Sequence, residues 1–332
     1  MNRSVETGGT AAGWPIVALA AALTIGAAAG CDSSSNTVPP PTDRAPGRLT
    51  IFVTIPPQAF FVERIGREHV DIHILVKPGR SPHAFEPTPR QLTELGRADL
   101  YFQVGVPFER VLEQRIRGNY PDLNIVDTSA CIAHQPIDAP ETDNSNDAHD
   151  SPHAHAPGEM DPHTWLDPTL AAVHARNIAD ALVRIDAANA AEYRANLAAL
   201  TAELDDLDRR IAAVLAPREG GAFFVFHPAY GYFARRYGLT QVAVEHGGRR
   251  PAAKQLAALI DRAKQAGVKA IFVDPQFASR DANAIAEAIG AAVIPLDPLA
   301  RDYLANLAAA ADKLAADGGV TPSRTNDASA LR

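Results

Sequence analysis

AEYRANLAALTAELDDLDRRIAAVLAP, residues 191–217, is the most periodic segment of the chain. Tyr193, Leu197, Leu200, Leu204, Leu207, Ile211 and Leu215 follow one another at intervals of three or four. They therefore fall on one face of an α-helix, while Asp205, Asp208 and Arg209 point elsewhere. Pro217 and Gly220 end the run. A helix over about 190–216 would measure roughly 40 Å at the standard rise per residue. That length fits a coiled-coil arm or a rigid spine between two bodies, and its flanks favour the spine.

On both sides, short apolar runs alternate with helical patterns. LTIFVTI, VDIHILV, ADLYFQVG and LNIVD precede the periodic segment; AFFVF, TQVAV, VKAIFVD and AAVIPLD follow it. Between them lie amphipathic stretches such as QAFFVERIGRE, TPRQLTELGRA, AAKQLAALIDRAKQAG and DANAIAEAIG. Strands alternating with helices predict parallel sheets covered on both faces. The fold class is α/β, with two lobes, each a mostly parallel sheet flanked by helices, bridged by one long rigid helix. The expected boundaries are an N-terminal lobe over 48–188, the linking helix over 189–217, a C-terminal lobe over 218–317 and a flexible tail over 318–332.

The chain opens with an export signature. Arg3 lies in the first segment, an uncharged run extends from Trp14 to Gly30, and Ala28, Ala29 and Gly30 lead directly into Cys31. Residues 1–30 are predicted to be a signal peptide, and Cys31 resembles the lipid-bearing cysteine of a bacterial lipobox. A plain signal peptide or short anchor with an incidental cysteine is the alternative. DSSSNTVPPPTDRAPG then reads as a tether, residues 31–47. The expected location is periplasmic or extracytoplasmic, with a lipid anchor to a membrane through Cys31.

If Cys31 carries lipid, Cys131 is the only other cysteine, so no intrachain disulfide can form. Cys131, beside a strand-like stretch, is expected to be a small buried residue. The formal charge is -8 and no basic stripe exists, which argues against a nucleic-acid partner. No HExxH, GxSxG or P-loop is present, so no enzyme class is indicated.

Four positions carry candidate chemistry. His83 lies in the proline-punctuated loop GRSPHAFEPTP, His163 in DPHTWLDP ahead of a helix, His227 at the end of AFFVF, and Asp297 at the end of AAVIPLD. In open α/β sheets ligands collect at the carboxyl ends of strands, where His227 and Asp297 fall. His149, His153 and His155 belong instead to an insertion over about 136–160 that is rich in Asp, Asn, Pro and Ser and is expected to have no packed core of its own. That loop reads as a low-affinity metal collector or as a solvated loop with incidental histidines.

The ordered series SPHAFEPTPRQL, DPHTWLDP, FFVFHPAYGYFARRYGL, IFVDPQF and IPLDPLA, spanning about Leu49 to Leu314, resembles the bacterial zinc-uptake substrate-binding proteins. These are the metal receptors of ABC importers, in a family that includes manganese receptors. The resemblance implies two α/β lobes bridged by a long helix with the metal between them. It also implies the ligands His83, His163, His227 and Asp297, zinc as the transported ion, and an ABC permease with its ATPase as partners of a monomeric receptor. Three imidazoles and a carboxylate suit tetrahedral Zn2+, whereas manganese favours more oxygen. Manganese receptors of the family usually carry glutamate where this chain has His227. A manganese or iron receptor is the nearest alternative, and a zinc hydrolase, which would keep an open water position, is a remote one. The chain departs from the family at Asp274, often a glutamate, and at RRPAAK around Pro251. Asp274 is expected to be an outer partner fixing an imidazole, His246 an exposed loop residue, and Trp165 and Phe85 packing around the site.

Overall fold

The computed structural model describes residues 47–137, 160–245, 253–276 and 280–317. Cys31, His149, His153, His155 and His246 lie outside these residues, as do the expected signal, most of the tether and the tail. Among the described residues no helix is long and apolar enough to cross a membrane.

The first lobe contains β1 (Leu49–Val53), α1 (Pro56–Gly66), β2 (Val70–Ile74), α2 (Pro89–Leu95), β3 (Leu100–Gln103), α3 (Pro107–Asn119) and β4 (Asn124–Asp127). Then come α4 (Pro168–Ile185) and the long α5 (Ala190–Leu215). The second lobe contains β5 (Ala222–Val225), α6 (Gly231–Arg236), β6 (Thr240–Ala243), α7 (Ala253–Gln265), β7 (Ala270–Val273), α8 (Arg280–Ile289), β8 (Ala292–Pro295) and α9 (Tyr303–Asp317). The strand orders are β2-β1-β3-β4 and β6-β5-β7-β8, and every pairing is parallel. The two sheets therefore share one topology. Parallel neighbours need crossovers, and a helix supplies each one within a sheet.

The anticipated stripe is the buried side of α5. Tyr193, Leu200, Leu204, Leu207, Ile211 and Leu215 are buried, with Leu197 partly so. They join one continuous apolar core that includes Ile51 and Val53 of β1, Phe223 and Val225 of β5, and Leu307 of α9. Polar contacts fix the helix at both lobes. Asn196 Nδ2 donates to Ile65 O at 3.0 Å, and Arg64 pairs with Glu203. On the other side, Arg236 pairs with Asp208 at 2.6 Å, and the Tyr237 hydroxyl donates to the same carboxylate at 3.0 Å.

In the first lobe, polar groups just beyond the carboxyl ends of β1 and β3 engage one another. The Glu109 carboxylate accepts from Thr54 Oγ1 and from the backbone of Val104 and Gly105, the last at 2.7 Å. Burial pushes the Glu109 carboxyl up to about 7, against the pull of these hydrogen bonds.

Cys131 corrects an expectation, since it is exposed. It follows β4 in a turn, with φ at 72°, and this left-handed backbone lies beyond the last strand pairing at Asp127.

His174 on α4 is fully buried between Thr164 Oγ1 and Thr128 Oγ1, each 2.9 Å from a ring nitrogen. Burial, then the neighbouring His134, lowers its pKa to about 3. The unfolded chain would protonate this ring near pH 6.5, before the native state does. Its stabilising contribution is therefore full above pH ~6.5 and is lost as pH falls towards ~3, at up to about 1.4 kcal/mol per pH unit. Denaturant midpoints between pH 7 and 4 should show this slope, and His174→Gln should flatten it. An unchanged slope in the variant would mean that His174 is not the titrating group.

Candidate metal centre

Local sequence sets up each histidine. His83 sits in a single 3-10 turn, Pro82–Ala84, whose start is capped by Ser81 Oγ accepting from His83 N at 3.2 Å. The following EPTPRQ starts α2 through a reciprocal cap between Thr88 and Gln91, with Pro89 in the first turn. His163 precedes the 3-10 turn Thr164–Leu166, after which Asp167 caps α4 by accepting from Thr169 N at 2.8 Å. His227 stands just beyond β5, at the carboxyl edge of the second sheet.

These three side chains, far apart in sequence, converge. One ligand atom of each of His83, His163 and His227 lies within 4.8 Å of the others. The ring centroids are 5.5 Å apart for His83 and His163, 4.7 Å for His83 and His227, and 5.2 Å for His163 and His227. His163 and His227 are each 2% exposed. The pocket they form is also lined by Pro82, Asp274, Gln276, Pro298 and Leu299.

The outer contacts select tautomers. His163 Nδ1 lies 2.7 Å from Asp161 Oδ1, and His227 Nδ1 lies 3.3 Å from Glu245 Oε1. An ionised carboxylate accepts only, so each Nδ1 carries the proton and each Nε2 presents a lone pair. Those two Nε2 atoms face each other at 3.4 Å. Two nitrogens bound to one zinc at about 2.0–2.1 Å with tetrahedral angles would be about 3.3–3.4 Å apart. The pair thus already has the spacing of one edge of a zinc tetrahedron.

Packing keeps this arrangement in place. Asp161 Oδ1 also accepts from His163 N at 2.9 Å. A Cβ at Gly231 would meet Asp161 Oδ2 at 2.8 Å, so only glycine at the start of α6 leaves room for the carboxylate that orients His163. Trp165 is fully buried, with its ring 5.2 Å from that of His163 and its indole N–H donating to Pro298 O at 2.8 Å. The Tyr303 hydroxyl in turn donates to Trp165 O at 2.7 Å. Phe85 packs away from the pocket, against Phe108 at 5.0 Å in a separate cluster of the first lobe.

The structure brings neither Asp297 nor Asp274 into the three-histidine group. The Asp297 Oδ1 accepts from Gln276 Nε2 at 2.6 Å and from Leu299 N at 2.9 Å, so it caps the turn after β8. Asp274 lines the pocket. It is 2% exposed, and burial, then Asp297 and Glu245, push its carboxyl well above the usual range. Glu245 is a partner that sequence reading did not assign. The signal was present in register, because Val225 pairs with Ala243 and two further residues along each strand are His227 and Glu245. Asp161 was visible as the first residue of DPHTWLDP but had no assigned role.

A family profile described as "Zinc-uptake complex component A periplasmic" matches residues 51–317. The high-affinity zinc uptake system protein ZnuA of Bacillus subtilis is 30% identical over 296 residues, which is 85% of this chain and 86% of the relative. A crystal structure of ZnuA superposes with a TM-score of 0.72 at 37% identity, covering 81% of this chain and 98% of that one. A ZnuA deletion mutant with zinc bound gives 0.73 at 36% identity, covering 84% and 100%. Matched over most of its length, with paired parallel sheets and a long connecting helix, the chain belongs to the family of zinc-uptake complex component A.

Proposed function

We propose that this protein is the extracytoplasmic zinc receptor of an ABC importer, capturing Zn2+ between its lobes and delivering it to a membrane permease driven by a separate ATPase. The observation that carries the reading is the convergence of His83, His163 and His227, with two Nε2 atoms 3.4 Å apart and both Nδ1 atoms held by carboxylates. Neutral imidazoles offered in this way suit zinc, and a nitrogen-dominated set gives manganese less of the oxygen it favours. Membership of a zinc-uptake family supports the same ion. Zinc is the cargo, and the residues capture and release it; they turn nothing over.

The anchor and the loop belong to this reading. Cys31, directly after the apolar run 14–30, would carry lipid and hold the receptor near the permease as a single chain. His149, His153 and His155 would form a weak collecting segment feeding the tight site.

The test is metal content and competition. Mature protein purified without added metal should carry one zinc, and zinc should displace manganese in direct competition. Equal or tighter manganese binding would overturn the zinc assignment, and absence of any tightly held divalent ion would overturn the receptor reading.

A further inference from the structure

Away from the histidine pocket, a second group of side chains has the composition of a metal site. Among the described residues, Glu68, His69 and Glu192 each bring one ligand atom within 4.8 Å of the others, as the three histidines do. Glu68 and His69 lie in the single 3-10 turn Arg67–His69 between α1 and β2, and Glu192 lies in the first turn of α5. Segments 123 residues apart in the chain therefore meet at one point, where His69 Nε2 is 3.0 Å from Glu192 Oε2. An ionised carboxylate only accepts, so in this contact Nε2 carries the proton. A nitrogen and an oxygen on one tetrahedral zinc would be about 3.3–3.4 Å apart, so an ion takes that proton's place with a shift of only a few tenths of an ångström.

Neighbouring contacts hold these ligands in place. The His69 ring stands edge-on to that of Tyr193, with centroids 5.7 Å apart, and the Tyr193 hydroxyl donates to Asp186 Oδ2 at 2.6 Å. The same oxygen accepts from Asn189 Nδ2 at 2.7 Å, so the Asp186 carboxylate fixes the ring beside the group. One turn along α5, Asn196 Nδ2 donates to Ile65 O at 3.0 Å and ties the end of α1 to the helix. Ligands on two elements fixed in this way lose little further freedom when they meet an ion. We propose that Glu68, His69 and Glu192 form a second, peripheral site for a divalent cation of zinc's kind, bridging the first lobe and the start of α5. One imidazole and two carboxylates make a borderline set that balances the charge of the ion, and water completes the coordination. Glu68 and Glu192 are exposed and His69 is half-buried, so the ion stays in contact with solvent and is held more weakly than by the buried imidazoles.

The test uses the mature chain as wild type, Glu68→Gln, Glu192→Gln and His69→Ala, each first given one equivalent of zinc to fill the histidine pocket. Further zinc is titrated at neutral pH while the imidazole ring protons are followed by nuclear magnetic resonance, and the signal missing from His69→Ala identifies His69. In wild type that signal should shift or broaden saturably. In Glu68→Gln and in Glu192→Gln the midpoint should move to at least about tenfold more zinc, the lower end for losing even an outer partner. Glutamine at 192 still accepts from Nε2 in the absence of metal, so an ordinary surface ion pair, which contributes little, would not respond to this change. Both glutamates are exposed, so neither variant should lose the fold. Magnesium, a hard cation that prefers oxygen, should leave the His69 signal in place.

A His69 signal unmoved up to millimolar zinc would overturn the site. An equal response in wild type and both glutamine variants would do the same, since it would mean an adventitious ion on the imidazole only. A response to magnesium equal to that for zinc would reduce the effect to charge screening and overturn the site as well. A weakened response in only one of the two glutamine variants would overturn the three-ligand set. Because the histidine pocket is filled beforehand, each of these outcomes leaves the receptor reading standing.

Discussion

Replacing His227 by alanine should weaken zinc binding by more than about 100-fold, beyond the range for losing an outer partner. His227 is 2% exposed and presents its Nε2 to that of His163 across the lobe boundary. Alanine removes one metal ligand together with the ring that Glu245 Oε1 orients from 3.3 Å. A water entering the gap would bring neither the imidazole's basicity nor its fixed direction. His83→Ala and His163→Ala should give losses of the same order, because each removes a comparable bond. The control is His134→Ala, outside the three-histidine group, which should change affinity by only a few-fold. Competition titration at neutral pH measures all four. A loss below about tenfold for His227→Ala, or an equal loss for His134→Ala, would mean that the tight site lies elsewhere.

Leu204→Ala should destabilise the whole protein by about 2–5 kcal/mol, the range for truncating a buried leucine. Leu204 is 1% exposed at the middle of α5, within the core that joins β1 of one lobe to β5 of the other. A cavity there removes contacts from both bodies, so neither should melt ahead of its partner. In a chain lacking residues 1–30, Trp165 is the only tryptophan, and it sits where the first lobe's His163 segment meets Pro298 of the second. Its fluorescence reports the lobe contact, while far-ultraviolet circular dichroism reports helix content throughout. In wild type and variant alike the two signals should give one coincident denaturant transition. Separate transitions would show that the lobes are stabilised independently and that α5 is a tether rather than a shared core element.

Much of the architecture could be read from sequence because it rests on local regularities. The α5 stripe needs only the 3.6-residue period, and the eight strands of the described residues occur where short apolar runs lie between helical patterns. The three histidines were recognisable because prolines and caps hold each one in a short, ordered stretch: SPHAFEP, DPHTWLDP and FHPAYG. The carboxylates could not be assigned in the same way. Glu245 reaches His227 through the β5–β6 register, and Gly231 matters because Asp161, 70 residues earlier in the chain, needs the space. Motif position favoured Asp297 over Asp274, yet Gln276 engages Asp297 and leaves Asp274 in the pocket. Cys131 was misjudged for a related reason, since its neighbours are apolar but a turn of positive φ leaves it exposed. The sequence by itself determined the elements, their class and the imidazoles, because periodicity and capping act over a few residues. Only the tertiary structure decided which carboxylates orient those imidazoles and which faces the pocket, because a carboxylate's partner is set by strand register and packing between segments distant in the chain.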